Sequence, residues 1–172
     1  LFHYRLDLVE YSRENYEGYM RVNVRFAEQL QPLLHDDDLV WIHDYHFIPL
    51  ARELRARRCR QRMGFFLHVP WPSKEVLTAL PDHLELVEAL LEFDVIGFQT
   101  KGYVLTFLDY VVRELGGTVD ADGYLYALGK RARVQHFPIS IETQSFMELA
   151  DQAEDSNHVR RLVQSMGNKK LI

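Results

Sequence analysis

The chain has 172 residues, 47% apolar and 26% charged, the balance of a soluble globular protein able to bury a sizeable core. Twenty Lys and Arg against 25 Asp and Glu leave a net charge of −5, so no global basic field exists to hold nucleic acid, and no apolar run approaches the ~20 residues of a membrane-spanning helix. One cysteine, Cys59, excludes an internal disulfide framework and suits a reducing compartment.

The chain opens on Leu1-Phe2-His3-Tyr4-Arg5, with neither an initiator methionine nor a signal-peptide pattern. It stops on Lys169-Lys170-Leu171-Ile172, where a basic stretch turns apolar as a strand would begin, so both ends read as interior points of a longer sequence. The first long element spans about Asn15 to Leu34. Its apolar residues Tyr19, Val22, Phe26, Leu30 and Leu33 step by three and four, as one face of a helix does. After the polar turn Asp36-Asp37-Asp38, the continuous run Leu39-Val40-Trp41-Ile42 reads as a strand buried on both faces. His43-Asp44-Tyr45-His46 ends it and Pro49 to Leu54 opens a helix, with proline tolerated in the first turn.

The pattern repeats. Met63 to Val69 is a second apolar run with a histidine, His68, near its end; Pro70-Trp71-Pro72 breaks it and Ser73 is placed to cap a helix. A helix over about His83 to Glu92 leads to a third buried strand, Asp94 to Gln99. Thr100 then caps a helix carrying Val104, Phe107, Leu108, Val111 and Leu115, which Gly116-Gly117 ends. Tyr124 to Lys130 and Arg131 to Phe137 read as a hairpin or two short strands near an edge, and Ile141 to Met166 as mostly polar helix. Alternating strands and helices point to an α/β domain with a mostly parallel sheet covered on both faces, with no domain boundary inside the chain.

Ligands of open α/β sheets bind outside the carboxyl ends of the strands. His43, Asp44, Tyr45 and His46 fall at one such end and His68 at the next, where a cleft uses them to grip hydroxyls. Each has a plainer reading: Asp44 as the cap of the following helix, His68 as a buried core histidine. A metal site is disfavoured, because adjacent His43 and Asp44 point to opposite faces in a strand and no second cluster of suitable spacing completes it. Arg52, Arg55, Arg57, Arg58, Arg60 and Arg62 form the strongest basic patch. The negative end of a helix accounts for most of it, phosphate or nucleic-acid binding for the remainder. Tyr4 and Arg5 have the donors for an anionic oxygen. Cys59 reads as a surface thiol without a catalytic partner. There is no phosphate-binding glycine motif.

Trp41-Ile42-His43-Asp44-Tyr45-His46, Gly64-Phe65-Phe66-Leu67-His68-Val69-Pro70-Trp71-Pro72 and Asp94-Val95-Ile96-Gly97-Phe98-Gln99-Thr100 closely resemble glycosyltransferase family 20, the trehalose-6-phosphate synthases. Phe2-His3-Tyr4-Arg5, Asp36-Asp37-Asp38 and Phe137-Pro138-Ile139 fit the same family, and the resemblance spans nearly the whole chain in order. It implies an enzyme of the GT-B fold, of which residues 1–172 are part of the N-terminal, acceptor-side domain. That domain is a Rossmann-like, three-layer one with a mostly parallel sheet, and the C-terminal nucleotide-sugar domain is absent. The implied reaction is retaining transfer of glucose from UDP-glucose to glucose 6-phosphate, giving trehalose 6-phosphate and UDP, with no metal or other cofactor. Carried over by position, Asp44 is the acceptor-gripping aspartate, Tyr45 helps place the acceptor, His68 contacts the donor glucose near the reacting centre, and Val69 shapes the wall of the glucose site. Asp44 and His68 are the catalytic expectations.

The resemblance further implies a cytoplasmic protein whose partners are UDP-glucose and glucose 6-phosphate, without nucleic acid or membrane; homo-oligomerisation is left open. The fragment alone is expected to be inactive. Ser140 stands where the family usually has glycine, and the Arg and Lys that bind the donor diphosphate are missing. The competing readings are a related transferase with another phosphorylated acceptor, such as glycerol 3-phosphate or a cyclitol phosphate, and a non-catalytic sugar-phosphate-sensing domain.

Overall fold

The computed structural model describes residues 1–154 and 156–167, so the strand expected to begin at Leu171 lies outside the described residues. Two compact units are present, 1–138 and 139–172. In the second, helices α6 (Thr143–Glu154) and α7 (Asn157–Met166) carry no buried residue; Ser156 caps α7 through a bond from the Val159 N–H.

The first unit is built on a six-stranded sheet in the order β1-β2-β3-β6-β5-β4. Its strands are β1 (Leu39–His43), β2 (Arg62–Leu67), β3 (Val95–Phe98), β4 (Thr118–Val119), β5 (Tyr124–Ala127) and β6 (Lys130–His136). β1, β2, β3 and β6 run parallel, while β4 and β5 are antiparallel additions beyond β6. The expected hairpin therefore exists, but its second strand lies inside the sheet, paired with β3. The expected mostly parallel, Rossmann-like α/β arrangement holds. The helices are α1 (Arg13–Leu30), α2 (Leu50–Ala56), α3 (Lys74–Leu77), α4 (His83–Leu90) and α5 (Lys101–Leu115).

Side chains alternate across the strands. Val40, Ile42, Met63, Phe65, Leu67, Ile96, Phe98, Ala132 and Val134 all point into the core, joined there by Leu54, Leu90, Phe107, Tyr110 and Trp71. On the opposite face β1 is open, with Leu39 67% and Trp41 63% exposed, whereas Phe66 of β2 and Gly97 of β3 are buried. This corrects the reading of β1 as buried on both sides. The reason is topological. A parallel crossover is right-handed almost without exception, and β1→β2→β3→β6 steps across the sheet in one direction, so every crossover helix falls on the same face. Covering the second face requires a reversal of direction that the described strands do not contain.

Local corrections follow similar physics. α1 starts at Arg13 because Ser12 accepts a hydrogen bond from the Asn15 N–H; it stops at Leu30, where Pro32 sits in a short 3-10 turn. Its buried residues are Asn23 and Ala27, one position round from the apolar stripe, so Phe26 and Leu33 stay exposed beside Trp41 in an apolar groove of about 680 Å3. Thr100 caps α5 by accepting from the Tyr103 N–H, and Gly116 ends it in the left-handed conformation, φ 64°. Ser73 precedes only the single turn α3 and its side chain makes no capping bond. Cys59 is buried at 8% exposure rather than superficial.

Candidate active site

The carboxyl ends of β1 and β2 come together because the two strands pair in parallel with His43 opposite Phe66. His43 and Phe66 share the face opposite the core, and His68, two residues on, returns to it. His43 Nδ1 and His68 Nε2 lie 2.9 Å apart, with the rings stacked at 27°. One nitrogen donates and the other accepts, so the pair shares one proton and each ring fixes the orientation of the other. The edge of Phe66 completes the packing around His68.

Asp44 is the first residue beyond β1, so the alternation that would separate it from His43 no longer applies. Its backbone sits at φ 63° and ψ 168°, a region entered essentially only by glycine. Three bonds hold it there. Its N–H donates to the Phe66 carbonyl at 2.9 Å, its own carbonyl accepts from the Phe47 N–H, and its Oδ1 accepts from the His68 N–H at 2.9 Å. The carboxylate makes no capping bond to the 3-10 turn Tyr45–Phe47, so the plainer reading of Asp44 as a helix cap is set aside. Oδ2 has no partner among the described residues and is left to accept from a hydroxyl.

Tyr45 is half-buried under the N-terminal segment. Phe2 stacks parallel on its ring at 5.3 Å, and His3 Nε2 lies 3.1 Å from its hydroxyl. Its carbonyl accepts from the Tyr19 hydroxyl at 2.7 Å; that phenol's pKa is raised by burial. The segment is further tied by the Tyr4 hydroxyl donating to the Trp71 carbonyl and by Phe2 against the Trp71 ring. Arg5 turns instead to Asp7 in a two-pronged, exposed ion pair, which holds the Asp7 carboxyl below its ordinary range. Val69 follows His68 and leans on the core. Asp44, His68, Tyr45 and Val69 thus line one stretch of the sheet's carboxyl edge. His43 joins them through a bond that sequence spacing does not reveal, although its place at a strand end was visible. Among the described residues, no three His, Cys, Asp or Glu side chains gather as a metal site would require. No described helix is long and apolar enough to cross a membrane.

Comparison with known proteins places this geometry in context. The model of glycosyltransferase family 20 matches residues 1–172. A trehalose-6-phosphate synthase of Cronobacter sakazakii is 46% identical over 147 residues, 86% of this chain and 31% of its own length. That of Citrobacter koseri is 48% identical over 152 residues, 88% of this chain and 32% of its own. Among solved structures, an alpha,alpha-trehalose-phosphate synthase (UDP-forming) from Burkholderia xenovorans in complex with glucose-6-phosphate superimposes with a TM-score of 0.88 at 47% identity, covering 98% of this chain and 38% of that one. An E. coli structure bound with UDP-2-fluoro glucose gives 0.85 at 43% identity, covering 97% and 37%. The chain therefore spans about a third of the length of the curated relatives it matches.

Proposed function

Because the chain belongs to glycosyltransferase family 20, we propose that residues 1–172 are the acceptor-side portion of a GT-B trehalose-6-phosphate synthase, active only together with a nucleotide-sugar domain. The reaction is transfer of glucose from UDP-glucose to glucose 6-phosphate with retention at the anomeric carbon, releasing trehalose 6-phosphate and UDP, with neither metal nor other cofactor. The observation that carries the reading is the strand-end arrangement: a carboxylate with one oxygen bonded to the His68 N–H and the other unengaged, beside a histidine pair held in fixed orientation. Support also comes from the two relatives whose structures hold glucose-6-phosphate and UDP-2-fluoro glucose.

In this reading Asp44 Oδ2 accepts from an acceptor hydroxyl, a charge-assisted bond worth ~1.5–3 kcal/mol. Tyr45 flanks the acceptor, His68 contacts the donor glucose, and Val69 walls the glucose site. Retention is assigned to front-face attack within an ion pair. The protein's share is positioning and stabilisation of the leaving diphosphate. Both substrates are phosphorylated and do not cross membranes unaided, which assigns the activity to the cytoplasm.

The test replaces the matching segment of the Burkholderia xenovorans enzyme by residues 1–172 and measures UDP release from UDP-glucose and glucose 6-phosphate. The chimera should turn over, the 172 residues alone should not, and Asp44→Ala or His68→Ala should each cost the chimera at least tenfold in kcat/KM. Full activity in either variant refutes the site assignment, and robust turnover by the chain alone refutes its partial character. Glycerol 3-phosphate and a cyclitol phosphate, offered in competition, report on the acceptor.

A further inference from the structure

The amino ends of the same strands hold a second cavity. Its volume is about 750 Å3, within the ~300–1,000 Å3 of small-molecule sites, and the segments entering β2, β3 and β6 wall it. At ~3.3 Å per residue, the length of β2 puts it roughly 17–20 Å from Asp44 and His68. It is separate from the strand-end site and does not depend on the function proposed above.

Six arginines between residues 52 and 62 stand out in the sequence, and the negative end of a helix accounts for only some of them. Arg57 donates to the Glu53 carbonyl and pairs with Glu53 and Glu28. Arg55 donates to the carbonyls of Cys59 and Gln61 and pairs with Asp94, while Arg52 pairs with Glu85. These three lock α2 to its surroundings. Arg58 and Arg60 do none of this: both are exposed on the rim of the cavity, and neither side chain has an ion pair or hydrogen bond among the described residues. Across from them Arg131 lies with its guanidinium 3.7 Å over the Tyr124 ring; it forms no close ion pair, although, behind the hydrogen bond from the Tyr124 N–H, its charge helps hold the Asp120 carboxyl below its ordinary range. Stacking of this kind holds a guanidinium still while leaving its donors free.

The carboxylates of the wall are already engaged. Asp94 accepts from Arg55 and from the Met63 N–H, and Glu92 pairs with Lys130 at 2.8 Å. Five cations against two carboxylates leave three positive charges around one cavity, in a chain whose net charge is −5.

We propose that this cavity is an anion site for a small molecule carrying two or more linked phosphate groups. A single phosphate brings at most two negative charges and leaves one guanidinium uncovered. A di- or triphosphate brings three or four and offers each planar fork its own oxygens. The compactness of the basic cluster, confined to one cavity on an acidic chain, favours such a ligand over an extended polyanion.

Titration calorimetry of the 172-residue chain with sodium tripolyphosphate at 0.15 M salt tests this. One saturable site is expected, with inorganic orthophosphate binding at least tenfold more weakly. Arg58→Gln with Arg60→Gln, and separately Arg131→Gln, should each weaken tripolyphosphate binding at least tenfold without changing the circular dichroism spectrum, because the side chains are exposed. Asp44→Asn, at the other end of the strands, should leave it unchanged. Cys59 lines the cavity and is the chain's one thiol, so saturating tripolyphosphate should slow its alkylation severalfold, and not in the arginine variants. The proposal falls if no saturable site exists, if the arginine variants bind as the parent does, or if Asp44→Asn abolishes binding.

Discussion

Asp44 combines a strained backbone with a side-chain bond, and two substitutions separate them. At φ 63° and ψ 168° a non-glycine residue carries ~1–3 kcal/mol of strain. The carboxylate bond to the His68 N–H offsets it by ~1.5–3 kcal/mol. Asp44→Ala keeps the strain and loses the bond, so it should destabilise the fold by about 1.5–3 kcal/mol. Asp44→Gly loses the same bond but relieves the strain, at the cost of ~0.4–1 kcal/mol for the greater freedom of glycine in the unfolded chain. The glycine variant should therefore be more stable than the alanine variant by about 1.3 kcal/mol at the middle of these ranges, an inversion of the ordinary preference for alanine over glycine. Urea unfolding followed by circular dichroism reads the difference, provided both variants unfold with the same m-value. An alanine variant as stable as the glycine variant, or more so, would refute the claim that the backbone is strained. Both variants lack the carboxylate, so under the proposed function they should weaken glucose 6-phosphate binding alike, and stability and binding would part company at one position.

Two further outcomes follow from packing and ionisation. A Cβ at Gly97 would stand 2.8 Å from Phe66 Cδ2 and 3.0 Å from Phe137 Cδ2. Gly97→Ala should thus cost about 1–3 kcal/mol in urea unfolding and disturb the ring beside His68; a neutral result would mean both rings yield freely. Tyr110 is buried and hydrogen-bonded to His83, and burial pushes its phenol up to about 12. The folded state therefore holds that proton more tightly than the unfolded chain, whose tyrosine titrates near ~10. Its contribution is complete below pH ~10 and is lost as the pH climbs from there to about 12. Tyr110→Phe should flatten that alkaline decline in thermal melts, and an unchanged slope would show that the phenol is not its source.

Much of this architecture was legible because its signals are local. Strand ends rich in His, Asp and Tyr, the Thr100 cap and the Gly116 stop each depend on a few neighbouring residues. The open face of β1 was not, because Leu39-Val40-Trp41-Ile42 has the same composition whether one side or both are covered; strand order decides that, and it is not written in any one segment. The buried face of α1 was missed because a polar residue, Asn23, occupies it, its Nδ2 donating to the carbonyls of Tyr19 and His46. Apolar periodicity gives such a residue no weight. At the site, the positions of Asp44 and His68 were readable, whereas their mutual bond, the His43 pairing and the strained backbone arise from the register between two strands.

The Asp44 N–H held by Phe66 and the Asp44 carboxylate holding the His68 N–H close a small ring of bonds across the ends of β1 and β2. Kinematically, that ring makes the residue proposed to meet the acceptor and the residue proposed to meet the donor a single part. Moving Asp44 relative to residues 66–68 breaks at least one of these bonds. Under the proposed function, the acceptor contact and the donor contact are spaced by backbone bonds rather than by a loop between them.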